Sequence, residues 1–346
     1  MSESEEKNIP ALRESIENTE GGDNASLLLN RYLKNAVGTD KENEGKNELF
    51  KRVNGAMKND ELYKTAYNRW KISLPKNSVF KIITTDGKMI IGLGNDNVLE
   101  TGITLHHTYG VPYIPGTALK GLAAHYCHSV WGEKDDKFKK GGEYHKLIFG
   151  TTESAGFITF FDAWIQPDKV SGSLVKDVMT PHHTEYYSGK DKDTPPSDFD
   201  SPTPVGFLSV HRSFCIALSC DNTDNEEEAK KLIELTFKLL KDALENWGIG
   251  GKTSSGYGRL VFNEEETEKE KSNEKQSERE ANTPKFQLWF EEEGNKFTSK
   301  NEQQKIVNEL KNYKDQELKD AVAFISSKIK KKERVKGLQE IIVENQ

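Results

Sequence analysis

Apolar residues recur at helical spacing in the first part of the chain and change to strand-like runs from Val79. SLLLNRYLKNAV, residues 26–37, has the pattern of a short amphipathic helix with Ser26 in the N-cap position. Leu49, Val53, Met57, Leu62 and Ala66 keep the helical period onward, so residues 26–75 read as a helical region. VFKIITTDGKMIIGLG then gives two short β-type runs about Asp86-Gly87, a dipeptide that favours a hairpin turn. A loop punctuated by Pro112, Pro115 and Gly116 leads into TALKGLAAHYCHSVW, which reads as a helix starting at Thr117 as its cap. An aromatic-rich strand follows over 156–165.

Residues 166–204 hold six prolines and little periodicity, and a segment of that length inside a folded body is a functional or disordered insertion. VGFLSVHRSFCIALSC, residues 205–220, alternates as one long strand or two joined ones. Residues 226–246 form a helix on which Leu232, Leu235, Leu239, Leu240 and Ala243, with Trp247 just beyond, share a broad apolar face. The strand YGRLVF closes the series. The order β(β)–α–β–β–α–β is that of an α+β, ferredoxin-like (RRM-like) domain over 76–263, with helices on one sheet face and the other face, or the groove beside the loop at 248–259, left for a ligand. Residues 264–283 are charged and nearly devoid of apolar side chains and read as a flexible linker. Residues 284–346 regain periodicity as a small module of two or three helices.

Composition adds tails to this picture. Of 346 residues 34% are hydrophobic and 30% charged, which suits a folded body carrying solvated segments. The net charge of −7 argues against a polyanionic partner until its distribution is read. Residues 1–25, which read as a disordered acidic tail, hold seven acidic and two basic residues, and 264–283 hold eight acidic and four basic. The body over 26–263 has thirty of each sign, so a local basic groove is compatible with the total. The sparse, odd set Cys127, Cys215 and Cys220 fits a reducing compartment without a disulfide framework or zinc signature. No apolar run is long enough to span a membrane, and the acidic, polar N-terminus is unlike a signal peptide, so a cytoplasmic protein is expected.

GIGGKTSSGYGR, residues 248–259, contains the Gly-Lys-Thr of a nucleotide-binding P-loop. The first glycine of that motif is replaced by Asn246, and the helix precedes the loop while the strand follows it, so the P-loop reading fails. Five glycines, the hydroxyls of Thr253, Ser254 and Ser255, and the cations Lys252 and Arg259 exceed what a turn needs. Gly248, Gly250, Gly251, Gly256 and Gly258 would let backbone N–H groups approach phosphate, and Tyr257 would stack on a base. Thr117 and Lys120 add a helix start that favours an anion.

LETGITLHHTYGVPYIPGTALKG, DVMTPHHTEYY with PTPVGFLSV, and GIGGKTSSGYGRL, in this order over roughly 75–263, resemble the RAMP superfamily of CRISPR proteins, and within it the subunits of type III-B Cmr effector complexes. The resemblance implies RNA binding inside a ribonucleoprotein, near the 3′ end of the guide (crRNA), at the end of a filament of RAMP subunits. Partners would be crRNA, target RNA, other RAMP subunits of the complex and its small helical subunit. The insertion at 166–204 would be a thumb that interrupts guide–target pairing, with His182, His183, Tyr186 and Tyr187 as its rings, a return arm stiffened by Pro195, Pro196, Pro202 and Pro204, and Arg212 on the strand that follows. No cofactor, metal or membrane is called for. His125 and His128 have only a weak metal spacing. A rival reading is a metal-independent RAMP endoribonuclease using one of His106, His107, His182, His183 or His211 as base; Asp162, Asp177, Asp191 and Asp193 are carboxylates that could hold a metal. A third is a protein-only scaffold.

Overall fold

The computed structural model describes residues 24–31, 42–95, 99, 101–180, 183, 186, 195–199, 202, 204–221, 225–292, 305–306 and 308–328. The acidic tail before Asn24, His182, Tyr187, Asp191, Asp193 and the basic run after Lys328 lie outside them. Contacts divide the chain into Met1–Thr267 and Glu268–Gln346.

In the first unit the helices α1 (Ala25–Arg31), α2 (Glu42–Ala56) and α3 (Glu61–Ser73) precede β1 (Val79–Thr85). Next come β2 (Tyr113–Ile114), α4 (Gly116–Tyr126), α5 (Glu143–Phe149), β3 (Ile158–Phe160) and β4 (Ala163–Ile165). Then follow β5 (Leu174–Met179), β6 (Val205–Val210), β7 (Ser213–Cys220), α6 (Glu226–Asn246) and β8 (Leu260–Phe262). The main sheet runs β2-β4-β7-β1-β8, with β3 also pairing β7. The pairs β1–β7, β1–β8 and β4–β7 are all antiparallel. With β1, β4, β7 and β8 as the four sheet strands and α4 and α6 as the two crossover helices, this is the split βαβ arrangement of a ferredoxin-like fold.

β7 is buried along its whole length, because it is central and both its faces are covered. Ile83, Phe214, Ile216 and Leu218 join one core with Leu119 and Ala123 of α4 and Phe237 and Leu240 of α6. Ile82 and Cys215, on the opposite face, meet Tyr67 of α3, with Trp70 and Trp164 beside them. Trp164 stacks on Trp70 at 5.4 Å and on Tyr63 at 5.9 Å. The second sheet face is therefore partly closed by α3 rather than left for a ligand, and each large ring buried there contributes about 1.5–3 kcal/mol.

Several local expectations are corrected. The cap of α1 is Asn24, whose Oδ1 accepts from the Leu27 amide at 3.0 Å, and Ser26 lies inside the helix. The helical period of Leu49, Val53 and Met57 does not carry through to Leu62. Asp60 accepts from the Leu62 amide at 2.9 Å and starts a new helix with a new phase. Leu62 is left 67% exposed while Tyr63 and Tyr67 are buried. The two β-type runs about Asp86-Gly87 do not pair with each other, because both edges of β1 are taken by β7 and β8. Met89 instead bridges Val210, and the carbonyls of Lys88 and Ile90 accept from Gly258 and Gly251. The strand over 156–165 is broken at Phe161-Asp162, while 205–220 takes the second of its two expected forms, two strands joined at His211-Arg212.

Residues 264–282, expected as linker, are a helix, α7 (Glu264–Asn282). Asn263 Oδ1 accepts from the Glu266 amide at 3.0 Å, and Lys271 pairs with Glu268 at 2.8 Å. The segment has almost no apolar residues but also lacks glycine and proline, and Glu, Lys and Gln are good helix formers. Thr267 is buried and its Oγ1 accepts from the Ile82 amide at 2.9 Å, which fastens the start of α7 to β1. The second unit holds α8 (Lys285–Glu292), helical residues at 305–306 and 308–310, and α9 (Asp315–Lys328). Phe286, Phe290, Ile306, Leu310, Ala321 and Ile325 form its own core. Among the described residues no helix is long and apolar enough to cross a membrane.

Candidate nucleic-acid interface

The glycine loop joins the C-terminus of α6 to β8. Gly248, Gly250, Gly256 and Gly258 have φ of 76°, 89°, 86° and 76°, and Lys252, at φ 57°, is the one non-glycine residue with positive φ among those described. Most of the loop amides are spent inside the protein. Gly251 donates to Ile90 O at 2.7 Å, Gly258 to Lys88 O at 2.8 Å, and Ile249 to Gly258 O at 2.8 Å. Gly248 donates to Ala243 O at 3.0 Å and Gly256 to Thr253 O at 3.1 Å. A Cβ on Gly250 would strike the Ile90 carbonyl, and one on Gly258 the Ile249 carbonyl. Gly250 lets the loop lie against Ile90, Gly258 lets the two arms of the loop lie against each other, and the glycines do not form a row of free phosphate donors.

What the loop leaves open is its tip. Thr253–Ser255 form a single 3₁₀ turn, with Ser254 and Ser255 exposed. Among the described residues the Lys252 ammonium and the hydroxyls of Thr253, Ser254 and Ser255 have no hydrogen-bond or ion-pair partner. The tip borders a cleft of about 500 Å³, which Thr253, Ser254 and Asn246 line on the polar side. Ala118 and Leu122 of α4, with Trp247 and Ile249, line it on the apolar side. Trp247 is held by edge-on contacts with His125 at 4.9 Å and Tyr126 at 5.0 Å. Sequence reasoning passed over Ala118 and Leu122. They look like ordinary helix residues, and only the packing of α4 beside the loop gives them a second role.

Two of the expected contacts serve the fold. Arg259 Nη1 donates to Glu245 O at 2.6 Å and also to Asn246 O, so its guanidinium caps the C-terminus of α6. Tyr257 donates to Asp177 Oδ2 at 2.6 Å, and Lys88 pairs with the same oxygen at 2.8 Å. Burial and the hydrogen bond to the Asp177 carboxylate push the Tyr257 hydroxyl up to about 12, so it stays protonated and donates to that carboxylate. Burial raises the Asp177 carboxyl, but the hydrogen bonds from Lys88, Tyr257 and the Val178 amide outweigh it and hold the group below its ordinary value.

A carboxylate whose folded value is depressed stabilises the protein above its ordinary pKa and loses that contribution as pH falls through the lower one. Asp177→Asn is therefore expected to cost about 1–2 kcal/mol at pH 7. Melting curves of the two proteins should converge below about pH 4; a gap unchanged down to pH 3 would count against this network.

On the α4 side, the Gly116 amide donates to Asp162 Oδ1 at 2.7 Å, and α4 starts one residue before Thr117. The anion-favouring helix start is thus filled by the protein's own carboxylate. Thr117 is exposed, and Lys120, two positions past Ala118, falls about 200° round the helix from it, away from the cleft.

The expected thumb begins and ends as a regular hairpin, β5 with β6, in register from Leu174↔Val210 to Met179↔Val205. Its base is braced by α2, where Lys176 reaches Asn47, and by Ser173 with Met57 at 3.7 Å. His183 is half-buried, Tyr186 is 50% exposed, and Phe199, which sequence reasoning did not single out, is 97% exposed. Arg212 donates to the carbonyls of Lys169 at 3.2 Å and Ser171 at 3.0 Å, tying down the β6–β7 corner. His211 Nδ1 meets Thr85 Oγ1 at 3.0 Å, and His106 Nδ1 accepts from the Thr108 amide at 3.2 Å amid Tyr109, Tyr113 and Trp164. Burial lowers His106. His125 packs on Trp247 while His128 accepts from the Lys140 amide at 3.2 Å, and no metal-holding group of three or more ligands occurs among the described residues.

The sequence model of the RAMP superfamily matches residues 82–261. The chain is 32% identical to the CRISPR system Cmr subunit Cmr6 of Pyrococcus furiosus over 255 residues, covering 58% of this chain and 73% of that one. It is 29% identical to the Cmr6 subunit of Saccharolobus solfataricus over 170 residues, covering 45% of this chain and 56% of that one. The crystal structure of P. furiosus Cmr6 aligns with 54% of this chain and 98% of its own at 29% identity, with a TM-score of 0.34. By the superfamily match over more than half of its length and by its identity to Cmr6 of P. furiosus, the chain belongs to the RAMP superfamily and, within it, to the Cmr6 subunits of CRISPR systems.

Proposed function

We propose that this chain is a crRNA-binding structural subunit of a type III-B CRISPR ribonucleoprotein, seated among other RAMP subunits near the guide 3′ end, with the small helical subunit and target RNA as further partners. The observation that carries the reading is the tip of the glycine loop, where an ammonium and three hydroxyls without partners among the described residues stand together, two of the hydroxyls lining an open cleft. Such a set suits a nucleotide unit of RNA, with Lys252 as the point charge for its phosphate and the hydroxyls of Thr253, Ser254 and Ser255 as hydrogen-bonding groups for the atoms around it. The thumb carries the half-buried His183 and the half-exposed Tyr186, while Arg259, Tyr257 and Arg212 support the site from within the fold. No nuclease role is assigned to His106 or His211, whose ring nitrogens serve hydrogen bonds of the fold. Catalysis would fall to partners.

Lys252→Gly separates binding from folding. Glycine removes the charge and relieves a left-handed residue, so stability should hold or rise by up to about 1 kcal/mol. Affinity for guide-length single-stranded RNA should fall about tenfold, and the slope of log K against log salt should lose about one unit. RNA retention and slope equal to the wild type would favour the protein-only scaffold. Cleavage of repeat RNA by the isolated chain would favour the nuclease.

A further inference from the structure

The cleft beside the loop tip does not have the chemistry of a phosphate site. Its loop amides are mostly committed to Ile90, Lys88 and Gly258, its one cation, Arg259, is committed to the end of α6, and no carboxylate lines it. Ala118, Leu122 and Ile249 give it flat apolar walls, and Trp247 a ring that two neighbours hold in place. Polar groups sit only at one side. The Thr253 and Ser254 hydroxyls are free, and Asn246 spends its Nδ2 on Tyr126 at 3.2 Å and Asp242 O at 2.7 Å, which leaves its Oδ1 as an acceptor. A volume of about 500 Å³ is in the range of a small-ligand pocket.

We infer that this cleft seats one unpaired nucleobase of the bound RNA, with Ala118, Leu122 and Trp247 against the ring and Asn246, Thr253 and Ser254 at its polar edge. The inference rests on the RNA-binding reading and adds a division of labour. Lys252 and Ser255 hold the backbone, and the α4–loop cleft, with Thr253 and Ser254 at its polar side, holds a base. Hydroxyls and an amide oxygen pair with any base edge, so the site grips RNA without fixing a sequence, and the base it holds is withdrawn from pairing with a second strand.

The test compares binding of the full chain to oligouridine and to an abasic ribose-phosphate oligomer of equal length. Stacking one base contributes about 1–3 kcal/mol, so the wild type should prefer oligouridine about tenfold or more. Ala118→Phe fills the cleft and should erase that preference, leaving abasic affinity and salt slope unchanged, whereas Lys252→Gly should weaken both ligands alike. A preference that survives Ala118→Phe overturns the base pocket and leaves the RNA reading intact. Failure of the wild type to bind either oligomer overturns the RNA reading itself. Should Ala118→Phe fold poorly, photocrosslinking of 5-bromouridine RNA to the wild type decides independently. Adducts on Trp247 support the pocket, and adducts confined to the loop tip refute it. Ala118→Phe that loses a co-purifying protein but keeps its base preference would give the cleft to a partner's side chain.

Discussion

Gly258→Val is expected to cost about 3–5 kcal/mol, a large share of the stability of an ordinary domain. Two effects combine. A β-branched residue at φ 76° is strained by about 1–3 kcal/mol, and its Cβ would run into the Ile249 carbonyl, with Ile249 C at 2.9 Å and N at 3.0 Å behind it. Backbone cannot swing aside as a side chain can, so the two arms of the loop must part and give up the hydrogen bond from the Ile249 amide to Gly258 O at 2.8 Å. Gly256→Ala is the control. Gly256 has nearly the same φ, 86°, but a Cβ there meets nothing within 4 Å, so only the conformational cost of about 1–2 kcal/mol remains. Denaturant unfolding of the pair measures the difference. Equal losses would mean that close packing against the Ile249 backbone is not why Gly258 is glycine.

That contrast explains what could be read in the sequence and what could not. The strand and helix order was legible because β7, α4 and α6 carry strong apolar patterns, and a pattern that decides which side is buried also decides the topology. The glycine loop was legible as a site by composition, but its working parts were not. Five glycines suggested five phosphate contacts. In the folded chain Gly250 and Gly258 exist to admit the neighbouring carbonyls of Ile90 and Ile249, a long-range fact with no local signature. Lys252 and Arg259, equal as cations in the sequence, part company because only Arg259 lies within reach of the end of α6. The same holds for Tyr257, whose partner Asp177 is 80 residues away. Misread boundaries have local causes. Asn24 and Asp60 are cap residues that reset helix phase, and the charged stretch after Asn263 was taken for a linker because it lacks a buried face, although nothing in it opposes a helix.

The division between the two cations also sets the second large effect. Arg259→Ala should lower stability by about 2–4 kcal/mol, because charge-assisted bonds to the carbonyls of Glu245 and Asn246 and the favourable charge at the end of α6 go together. The loss falls on the helix that supplies Phe237, Leu240 and Leu244 to the core, so unfolding should be felt across the main sheet and not at the loop alone. Arg259→Lys should recover only part, since an ammonium presents a point charge where the guanidinium presents a planar fork. RNA affinity measured on the folded fraction should change little in Arg259→Ala and strongly in Lys252→Gly. The opposite ranking, a stable Arg259→Ala that has lost RNA, would make Arg259 a direct ligand whose bonds to α6 open on binding. Thermal unfolding and RNA titration of the same two variants distinguish these outcomes, because a cap acts through the helix it closes and a ligand acts through the RNA it holds.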